Sequence, residues 1–332
     1  ALKPYSSARD EYKDATADMF FLDANENPFN TGVNRYPDPQ QNSVKDILAE
    51  QKSISKENIL LGNGSDEVLD LIFRAFCNPN QDNIITLPPT YGMYEVLASV
   101  NAVEVIKINL SKEFQPKVDA ILQASNQYSK LLFLCSPNNP TGNSFKTKEV
   151  EKLLKEFKGI VVIDEAYIDF SEQKSWIKRL EEFPNLIVTQ TLSKAYGMAG
   201  IRLGICYASV EIISILNTIK PTYNVNSLTQ EKAIEQLRKT DVVKHQIIAI
   251  KYQREVLEVE LEKLEYVTKI YPSDANFILI RVDDAYKRYQ QLIEKGIVIR
   301  NRTSQPLCEN CLRITVGTKQ DNEKLIEALK TL

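Results

Sequence analysis

The sequence of 332 residues predicts an α/β fold, with a mostly parallel central sheet flanked by helices and a smaller α+β domain at the C-terminal end. Short apolar runs rich in β-branched residues alternate with amphipathic stretches, which is typical of a parallel sheet covered by helices on both faces. After Pro221 the alternation gives way to long charged helical stretches, which indicates a second unit. A hydrophobic share of 43% and a charged share of 26% are ordinary for a globular chain of about two domains.

The predicted strands of the first part are short apolar runs bounded by turn residues. They cover Asn58–Leu61, Ile84–Leu87, Val103–Ile108, Leu131–Cys135, Ile160–Ile163 and Leu186–Thr189. Apolar residues recur at helical spacing in Asp66–Phe76 and in Lys148–Phe157, which predicts helices between the strands.

The second part has a different pattern. A charged helical segment is predicted from about Leu228 to Leu264, followed by strands at Phe277–Ile280 and Leu312–Val316 and a final helix at Asp321–Leu332. We therefore expect an N-terminal arm of residues 1–35 that packs with the small domain and the partner subunit, a large domain of residues 36–222 and a small domain of residues 223–332.

Composition excludes several classes of function. With 41 basic and 44 acidic residues, the net charge of −3 argues against a nucleic-acid-binding protein, which needs a basic surface. No apolar run approaches the roughly 18–20 residues that a membrane span requires. The five Cys residues are an odd number at low density, so we expect reduced thiols and a cytoplasmic location.

Metal and histidine chemistry are not expected. Cys308 and Cys311 have the spacing of a zinc knuckle, but two further ligands are needed and the other Cys residues are scattered. His245, the single histidine, falls in the charged helical segment. A position on a solvated helix face is a simpler interpretation of this residue than membership of a catalytic triad.

Two strand ends carry side chains suited to catalysis. Lys194 follows an apolar strand among hydroxyl and small residues, where its pKa could be lowered enough for Schiff-base chemistry; a surface charge is the alternative. Asp164 directly follows another strand, at the edge where open α/β sheets bind ligands. Its alternatives are a helix N-cap or a metal-binding acid, and the phosphate loop that accompanies such an acid is absent.

Two further segments are turns at strand ends. Ser136–Gly142 is a rigid turn with a neutral amide free to donate a hydrogen bond, or an ordinary turn. Leu61–Asp66 runs from a strand through a Gly-rich turn into a helix, whose N-terminus can hold a phosphate. A lysine, a strand-end acid, an amide-bearing turn and a phosphate site together match the needs of pyridoxal phosphate (PLP).

At this point the sequence resembles the histidinol-phosphate aminotransferase family, a branch of the fold-type I, class II PLP-dependent aminotransferases. Two elements, Asn-Pro-Thr-Gly and Ser-Lys, resemble motifs that many PLP aminotransferases share. Three others narrow the resemblance to this branch, namely Arg-Tyr-Pro, Tyr-Gly-Met-Tyr and Leu-Arg-Ile-Thr-Val-Gly. The resemblance covers nearly the whole chain, through the segments Pro4–Arg9, Leu22–Pro28, Arg35–Pro39, Pro88–Tyr94 and Cys311–Thr318.

The resemblance implies a role for each matching residue around the cofactor. Lys194 would be the Schiff-base lysine and would carry the proton between the substrate carbon and the cofactor. Asp164 would keep the pyridine nitrogen protonated, Asn139 and Tyr167 would hydrogen-bond the ring's phenolic oxygen, and Tyr91 would stack on the ring. The residues implied at the cofactor phosphate are Gly64, Ser65, Asp66, Thr191, Ser193 and Arg202, together with Tyr36 from the partner subunit of a homodimer.

The resemblance also implies an anion pocket for the substrates. Arg313 lies in an otherwise apolar strand, where a buried guanidinium is costly unless it meets an anion. It would bind the carboxylate of glutamate and also the substrate phosphate, with Arg300, Tyr5 and Asn139 completing the substrate site. A packing or surface role is the alternative for Tyr5 and Arg300.

The reaction implied is a reversible ping-pong transamination, in which L-histidinol phosphate and 2-oxoglutarate become imidazole-acetol phosphate and L-glutamate in histidine biosynthesis. L-threonine-O-3-phosphate decarboxylase and aromatic-amino-acid aminotransferase are rival activities on the same fold. A PLP-binding protein without turnover is the rival from another class, which the filled catalytic positions disfavour. The expected partners are small-molecule substrates and a second copy of the chain.

Overall fold

A seven-stranded sheet forms the centre of the protein in a computed structural model that describes residues 21–332. In chain order its strands are β1 (Ile59–Asn63), β2 (Asn83–Thr86), β3 (Glu104–Lys107), β4 (Ser129–Cys135), β5 (Ile160–Asp164), β6 (Leu186–Thr191) and β7 (Leu203–Ala208). They lie in the order β1-β7-β6-β5-β4-β2-β3, and each neighbouring pair is parallel except for the two that involve β7. The predicted mostly parallel sheet is confirmed.

Helices cover both faces of this sheet. They are α1 (Asn42–Lys52), α2 (Ser65–Phe76), α3 (Met93–Val100), α4 (Val118–Ala124), α5 (Thr147–Glu156) and α6 (Val210–Ile219). Leu69 of α2 and Ile213 of α6 pack in one buried cluster, and Val44 of α1 and Leu153 of α5 pack in another. Because neighbouring residues of a strand point to opposite faces, β1 contributes to both clusters.

Between residues 21 and 222, four short 3₁₀ helices complete the first part of the chain. They cover Lys56–Asn58, Ile168–Phe170, Trp176–Arg179 and Ala199–Ile201.

A second, smaller sheet follows in the chain. Its strands are β8 (Val267–Ile270), β9 (Phe277–Val282), β10 (Arg300–Asn301) and β11 (Cys311–Thr315), in the antiparallel order β10-β11-β9-β8. One face packs through Ile280 and Leu312 on the helices α8 (Thr240–Leu261), α9 (Ala285–Glu294) and α10 (Lys319–Lys330). On the opposite face Leu279 and Cys311 join a core cluster of the central sheet, so this face is turned toward the large sheet.

The charged segment predicted as one helical stretch, from about Leu228 to Leu264, is two helices. The first, α7 (Ser227–Leu237), buries Ala233 and Leu237 against the large sheet's core, whereas α8 buries Leu257 against the small sheet. The two helices pack against different hydrophobic cores, so the helical conformation is interrupted between them. No Pro or Gly marks this interruption in the sequence. The division at residues 222 and 223 stays a prediction. Within residues 21–332, no helix has both the length and the apolar character of a membrane span.

The topology decides where functional side chains meet. Strands β4, β5 and β6 are parallel neighbours, so their carboxyl ends lie side by side at one edge of the sheet. Asn139, Asp164 and Lys194 follow or end these strands. An open α/β sheet binds its ligands at this edge.

Candidate active site

A cavity of about 480 Å³ lies at the carboxyl ends of the parallel strands, between them and the hairpin of β10 and β11. Most of the predicted site residues line it, namely Ser65, Asp66, Tyr91, Asn139, Asp164, Tyr167, Thr191, Ser193, Lys194, Arg202, Arg300 and Arg313. Of the remaining predictions, Tyr5 lies outside the described residues. The chain therefore brings one lysine, two carboxylates, two tyrosines and three predicted arginines to a single cavity.

Asp164 is the acid at the floor of this cavity. Its side chain ends β5 and the residue is only 4% exposed. Burial raises the pKa of Asp164, while hydrogen bonds from Tyr94 and from the backbone of Ala166 act in the opposite direction. No Lys or Arg within residues 21–332 forms an ion pair with this carboxylate. A buried acid of this kind is suited to meet a cationic group of a ligand.

Tyr94 is a functional candidate that sequence reasoning missed. It is fully buried on α3, and its hydroxyl donates to Oδ2 of Asp164 at 2.7 Å, while the N–H of Ala166 donates to Oδ1 at 3.1 Å. The Tyr94 ring stacks on Phe133 with centroids 4.7 Å apart. The two oxygens of Asp164 are thus held by two donors, one of which is fixed by core packing.

Lys194 follows β6 in a loop held by its own hydrogen bonds. The hydroxyl of Thr191 contacts the Ser193 hydroxyl at 3.0 Å and accepts from the Ser193 N–H at 3.1 Å. Desolvation by the surrounding protein lowers the pKa of Lys194, and the positive charge of Arg313 lowers it further. A lysine with a lowered pKa is a better nucleophile and proton acceptor near neutral pH.

The two asparagines of the Asn-Asn-Pro turn have different roles. Asn138 is fully buried and holds the turn, because its Nδ2 donates to the Pro89 carbonyl at 2.9 Å and to Thr141 Oγ1 at 2.7 Å. Asn139 faces the cavity, where its Oδ1 accepts a hydrogen bond from Nη1 of Arg313. With the oxygen turned to Arg313, the amide nitrogen of Asn139 is the group left to donate to a ligand.

Arg313 reaches the cavity from the small sheet. Its guanidinium lies 5.1 Å from the ring centroid of Phe277, and that ring meets Tyr167 edge-on with centroids 5.1 Å apart. Nε of Arg313 is buried and has no partner in the described chain. The guanidinium is therefore oriented by Asn139 and Phe277 while part of its hydrogen-bonding capacity remains open.

The N-terminus of α2 forms a second anion-binding feature beside Lys194. Gly64 precedes the helix at φ +83°, and a Cβ placed there would lie 2.7 Å from Nη2 of Arg202. Arg202 also forms an ion pair of 3.5 Å with Asp66. Free N–H groups at a helix start, together with a nearby guanidinium, are suited to a phosphate dianion.

Two tyrosines form side walls of the cavity. Tyr91 donates to Asp66 Oδ1 at 3.2 Å and meets Tyr94 edge-on with centroids 5.5 Å apart. Tyr167 is 7% exposed, and Nζ of Lys194 lies 5.7 Å from its ring centroid. Burial raises the pKa of both tyrosines, so each remains a neutral hydrogen-bond donor.

Tyr36 is not brought to this cavity within one chain. Its ring stacks on Tyr223 with centroids 4.4 Å apart, beside a separate cavity of about 410 Å³. A role for Tyr36 at a partner's phosphate site therefore stays a prediction. Arg302 and Gln305 are among the cavity residues that were not predicted. The alternation of Arg300 with Arg302 in the sequence is the signal that points to Arg302.

The residues present fit PLP on the chemistry of their donors. A buried carboxylate suits a pyridinium N–H, a lysine of lowered pKa suits an aldehyde, and the start of α2 beside Arg202 suits a phosphate. All three lie around one cavity.

Comparison with known proteins agrees with this chemistry. The profile of the family described as aminotransferase class I and II matches residues 10–329. The histidinol-phosphate aminotransferase of Flavobacterium johnsoniae is 66% identical over 333 aligned positions, which cover 100% of this chain and 95% of that relative.

Solved structures share the fold. The histidinol-phosphate aminotransferase of Clostridium acetobutylicum superimposes with a TM-score of 0.84 at 25% identity, over 90% of this chain and 91% of that one. The Sinorhizobium meliloti histidinol-phosphate aminotransferase, solved with pyridoxal-5'-phosphate, has a TM-score of 0.82 at 22% identity, over 90% and 83% of the two chains. The chain thus belongs to the class I and II aminotransferases, in the histidinol-phosphate aminotransferase family, and is a PLP-dependent enzyme.

Proposed function

We propose that this enzyme transfers the amino group of L-histidinol phosphate to 2-oxoglutarate, giving imidazole-acetol phosphate and L-glutamate in histidine biosynthesis. The observation that carries the proposal is an arginine pocket, formed by Arg300 and Arg313, that shares one cavity with Lys194 and Asp164. A substrate held there by its anionic group can present its amine to the lysine side of the cavity. The identity of 66% to a histidinol-phosphate aminotransferase supports the choice of substrate.

Several residues would hold the cofactor. The start of α2 would bind the phosphate through the N–H groups of Ser65 and Asp66, and through that of Gly64, which in the single chain donates to the Gly62 carbonyl at 2.8 Å. Arg202 and the hydroxyls of Thr191 and Ser193 would complete the contacts of the phosphate. Tyr91 would stack on the ring, and Asn139 and Tyr167 would donate to its phenolic oxygen.

Two residues would carry the proton chemistry. When PLP is bound, it supplies an aldehyde for amine exchange and a ring that takes up electrons released at the substrate α-carbon. Asp164 holds the proton at the ring nitrogen, because a carboxylate without a cationic partner stabilises the N–H that faces it. Lys194 takes the proton from the substrate α-carbon, and its lowered pKa makes the neutral amine available for this task.

The arginines would serve both half-reactions in turn. Arg313 would bind the carboxylate of glutamate or 2-oxoglutarate in one half-reaction and the phosphate of L-histidinol phosphate in the other. Arg300, Asn139 and Tyr5 would complete this substrate site. Because both substrates would use this anion pocket, they would bind one after the other. The amino group would stay on the PLP-loaded enzyme between the two half-reactions, which would give ping-pong kinetics.

We also propose a cytoplasmic homodimer in which Tyr36 of one subunit reaches the cofactor phosphate of the other. Tyr36 is 49% exposed in the single chain, so part of the surface of this residue can be covered by a partner subunit. The arm of residues 1–35 would pack on that partner. Sedimentation measures the assembly directly, and a stable, fully active monomer would contradict this proposal.

The test of the reaction is a coupled assay on the purified, PLP-loaded protein. It follows glutamate release from 2-oxoglutarate with L-histidinol phosphate, phenylalanine or threonine-O-3-phosphate as the amine. We expect rapid release with L-histidinol phosphate and slow release with phenylalanine. If threonine-O-3-phosphate releases CO₂ and no glutamate forms, the enzyme is a decarboxylase and not an aminotransferase. If glutamate forms at equal rates with phenylalanine and with L-histidinol phosphate, the enzyme is a broad aromatic-amino-acid aminotransferase.

A further inference from the structure

Three arginines, not two, converge on the substrate side of the cavity. Arg300 and Arg313 are direct partners across the β10–β11 pair, and the N–H of Arg302 donates to the Cys311 carbonyl at 2.8 Å, which continues the same pairing. Opposite residues of an antiparallel pair share a face, and so do residues two apart on one strand. The hairpin therefore presents Arg300, Arg302 and Arg313 on one face, and all three line the cavity.

Within the part of the chain that the structure describes, these guanidiniums have no carboxylate partner. Several other arginines of the described chain pair with carboxylates, as Arg288 does with Asp283 at 2.8 Å and Arg74 with Asp70 at 2.7 Å. Within residues 21–332, Arg300 and Arg302 have no ion pair, and the partner of Arg313 is the neutral amide of Asn139. Nε of Arg302 is buried and unpartnered.

The three charges also act on one another. Burial lowers the pKa of Arg302, and the charge of Arg300 lowers it further; burial, Arg302 and Arg300 lower the pKa of Arg313. No carboxylate is among the groups that shift either pKa. Like charges brought together in a partly buried site are costly unless an anion of matching charge binds between them.

We infer that Arg302 is a third phosphate-binding residue, which makes this pocket selective for a phosphate monoester over a carboxylate. A phosphate monoester carries close to two negative charges at neutral pH and three terminal oxygens, whereas a carboxylate carries one charge and two oxygens. Arg313 with Arg300 is sufficient for a carboxylate. A third guanidinium on the same face matches the additional oxygen and charge of a phosphate.

The inference rests on the proposed function, and the test separates the two. The PLP-loaded enzyme is mixed with one amine at a time, and the first half-reaction is followed by the cofactor absorbance. The amines are L-histidinol phosphate, L-histidinol, which has the same skeleton without the phosphate, and L-glutamate. The variants are Arg302→Gln and Arg302→Lys, with Arg238→Gln as the control, since Arg238 is an exposed arginine on the turn after α7.

Arg302→Gln is expected to lower kcat/KM for L-histidinol phosphate by about 10- to 100-fold, because a charge-assisted contact to the phosphate is lost. The values for L-histidinol and L-glutamate stay unchanged, as do all values of Arg238→Gln. Arg302→Lys retains the charge, so its kcat/KM for L-histidinol phosphate is expected to lie between those of the wild type and Arg302→Gln. Equal losses for all three amines, or a loss with glutamate alone, would overturn the inference.

Inorganic phosphate provides the readout that does not depend on turnover. Its dissociation constant from the PLP-loaded protein is measured by calorimetry, and Arg302→Gln should raise it by about 10-fold or more. If the wild type fails to react with L-histidinol phosphate, the proposed function fails, and a weakened phosphate affinity in the variant still supports the site. An unchanged phosphate affinity overturns the site itself.

Discussion

The hydroxyl of Tyr94 donates a 2.7 Å hydrogen bond to Oδ2 of Asp164, and this contact connects the core packing of the central sheet to the acid of the active site. The two residues come from different parts of the chain, since Tyr94 lies on α3 and Asp164 ends β5. Stacking on Phe133 fixes the tyrosine ring, so the position of the donor is set by the core. Tyr94 is therefore a positioning residue for Asp164.

Replacing Tyr94 by Phe is expected to shift the pH dependence of the enzyme. The hydrogen bond favours the charged carboxylate, so its loss raises the pKa of Asp164 above the already raised value. As the pH falls, Asp164 of the variant takes up a proton at a higher pH than in the wild type. The acidic limb of kcat/KM for the glutamate half-reaction moves to higher pH, with a loss of about 10-fold below neutrality.

Tyr207→Phe is the matched control for this change. Tyr207 is also fully buried, but its hydroxyl has no hydrogen-bond partner in the described chain. Its removal should leave the pH profile unchanged. The same shift in both variants would mean that the profile reports altered packing rather than the contact with Asp164.

The strand-end residues could be predicted because their positions follow from the order of elements. Lys194, Asp164 and Asn139 each follow an apolar run, and parallel strands bring their carboxyl ends together. Tyr94 could not be found in this way, because its contact depends on how α3 packs over the sheet. Nothing in the sequence around Tyr94 distinguishes a tyrosine that only packs in the core from one that also donates a hydrogen bond to a site residue.

Two parts of the fold that escaped prediction have identifiable physical causes. Strand β7 contains Gly204, which weakens a strand pattern, although the close approach of α2 requires that glycine. The break between α7 and α8 arises because the two helices pack on different cores, which helical periodicity does not reveal. The alternation of Arg302 with Arg300 is visible in the sequence, so the place of Arg302 on the same face could be predicted.

Lys194→Ala is expected to abolish turnover and the absorbance band of covalently bound cofactor together. The amine is the nucleophile and the proton carrier, so the rate should fall by at least about 10³-fold. The absorbance spectrum and the coupled assay measure both effects. Lys148→Ala, which changes an exposed lysine on α5, should behave as the wild type. Persistent turnover in Lys194→Ala would contradict the proposed role of Lys194 as nucleophile and proton carrier.

Arg313→Lys is expected to weaken both half-reactions. Lysine keeps the positive charge but cannot contact Asn139 and a substrate anion through a planar pair of donors. We expect kcat/KM to fall by about 10- to 100-fold with L-glutamate and with L-histidinol phosphate alike. Arg74→Lys, at the surface pair with Asp70, is the control. A loss confined to one substrate would show that the two anions do not share Arg313.

Gly204→Ala is expected to reduce cofactor affinity and stability through the start of α2. A Cβ at Gly204 would lie 2.3 Å from the backbone nitrogen of Ser65, so the helix start has to move away from β7. We expect a loss of about 1–3 kcal/mol in the free energy of unfolding, with a raised PLP dissociation constant because the N–H groups are displaced. Gly200→Ala is the matched control, since a Cβ there meets nothing within 4 Å. Unfolding and PLP titrations measure both effects, and an unchanged PLP affinity in a destabilised Gly204→Ala would place the cofactor phosphate away from this helix.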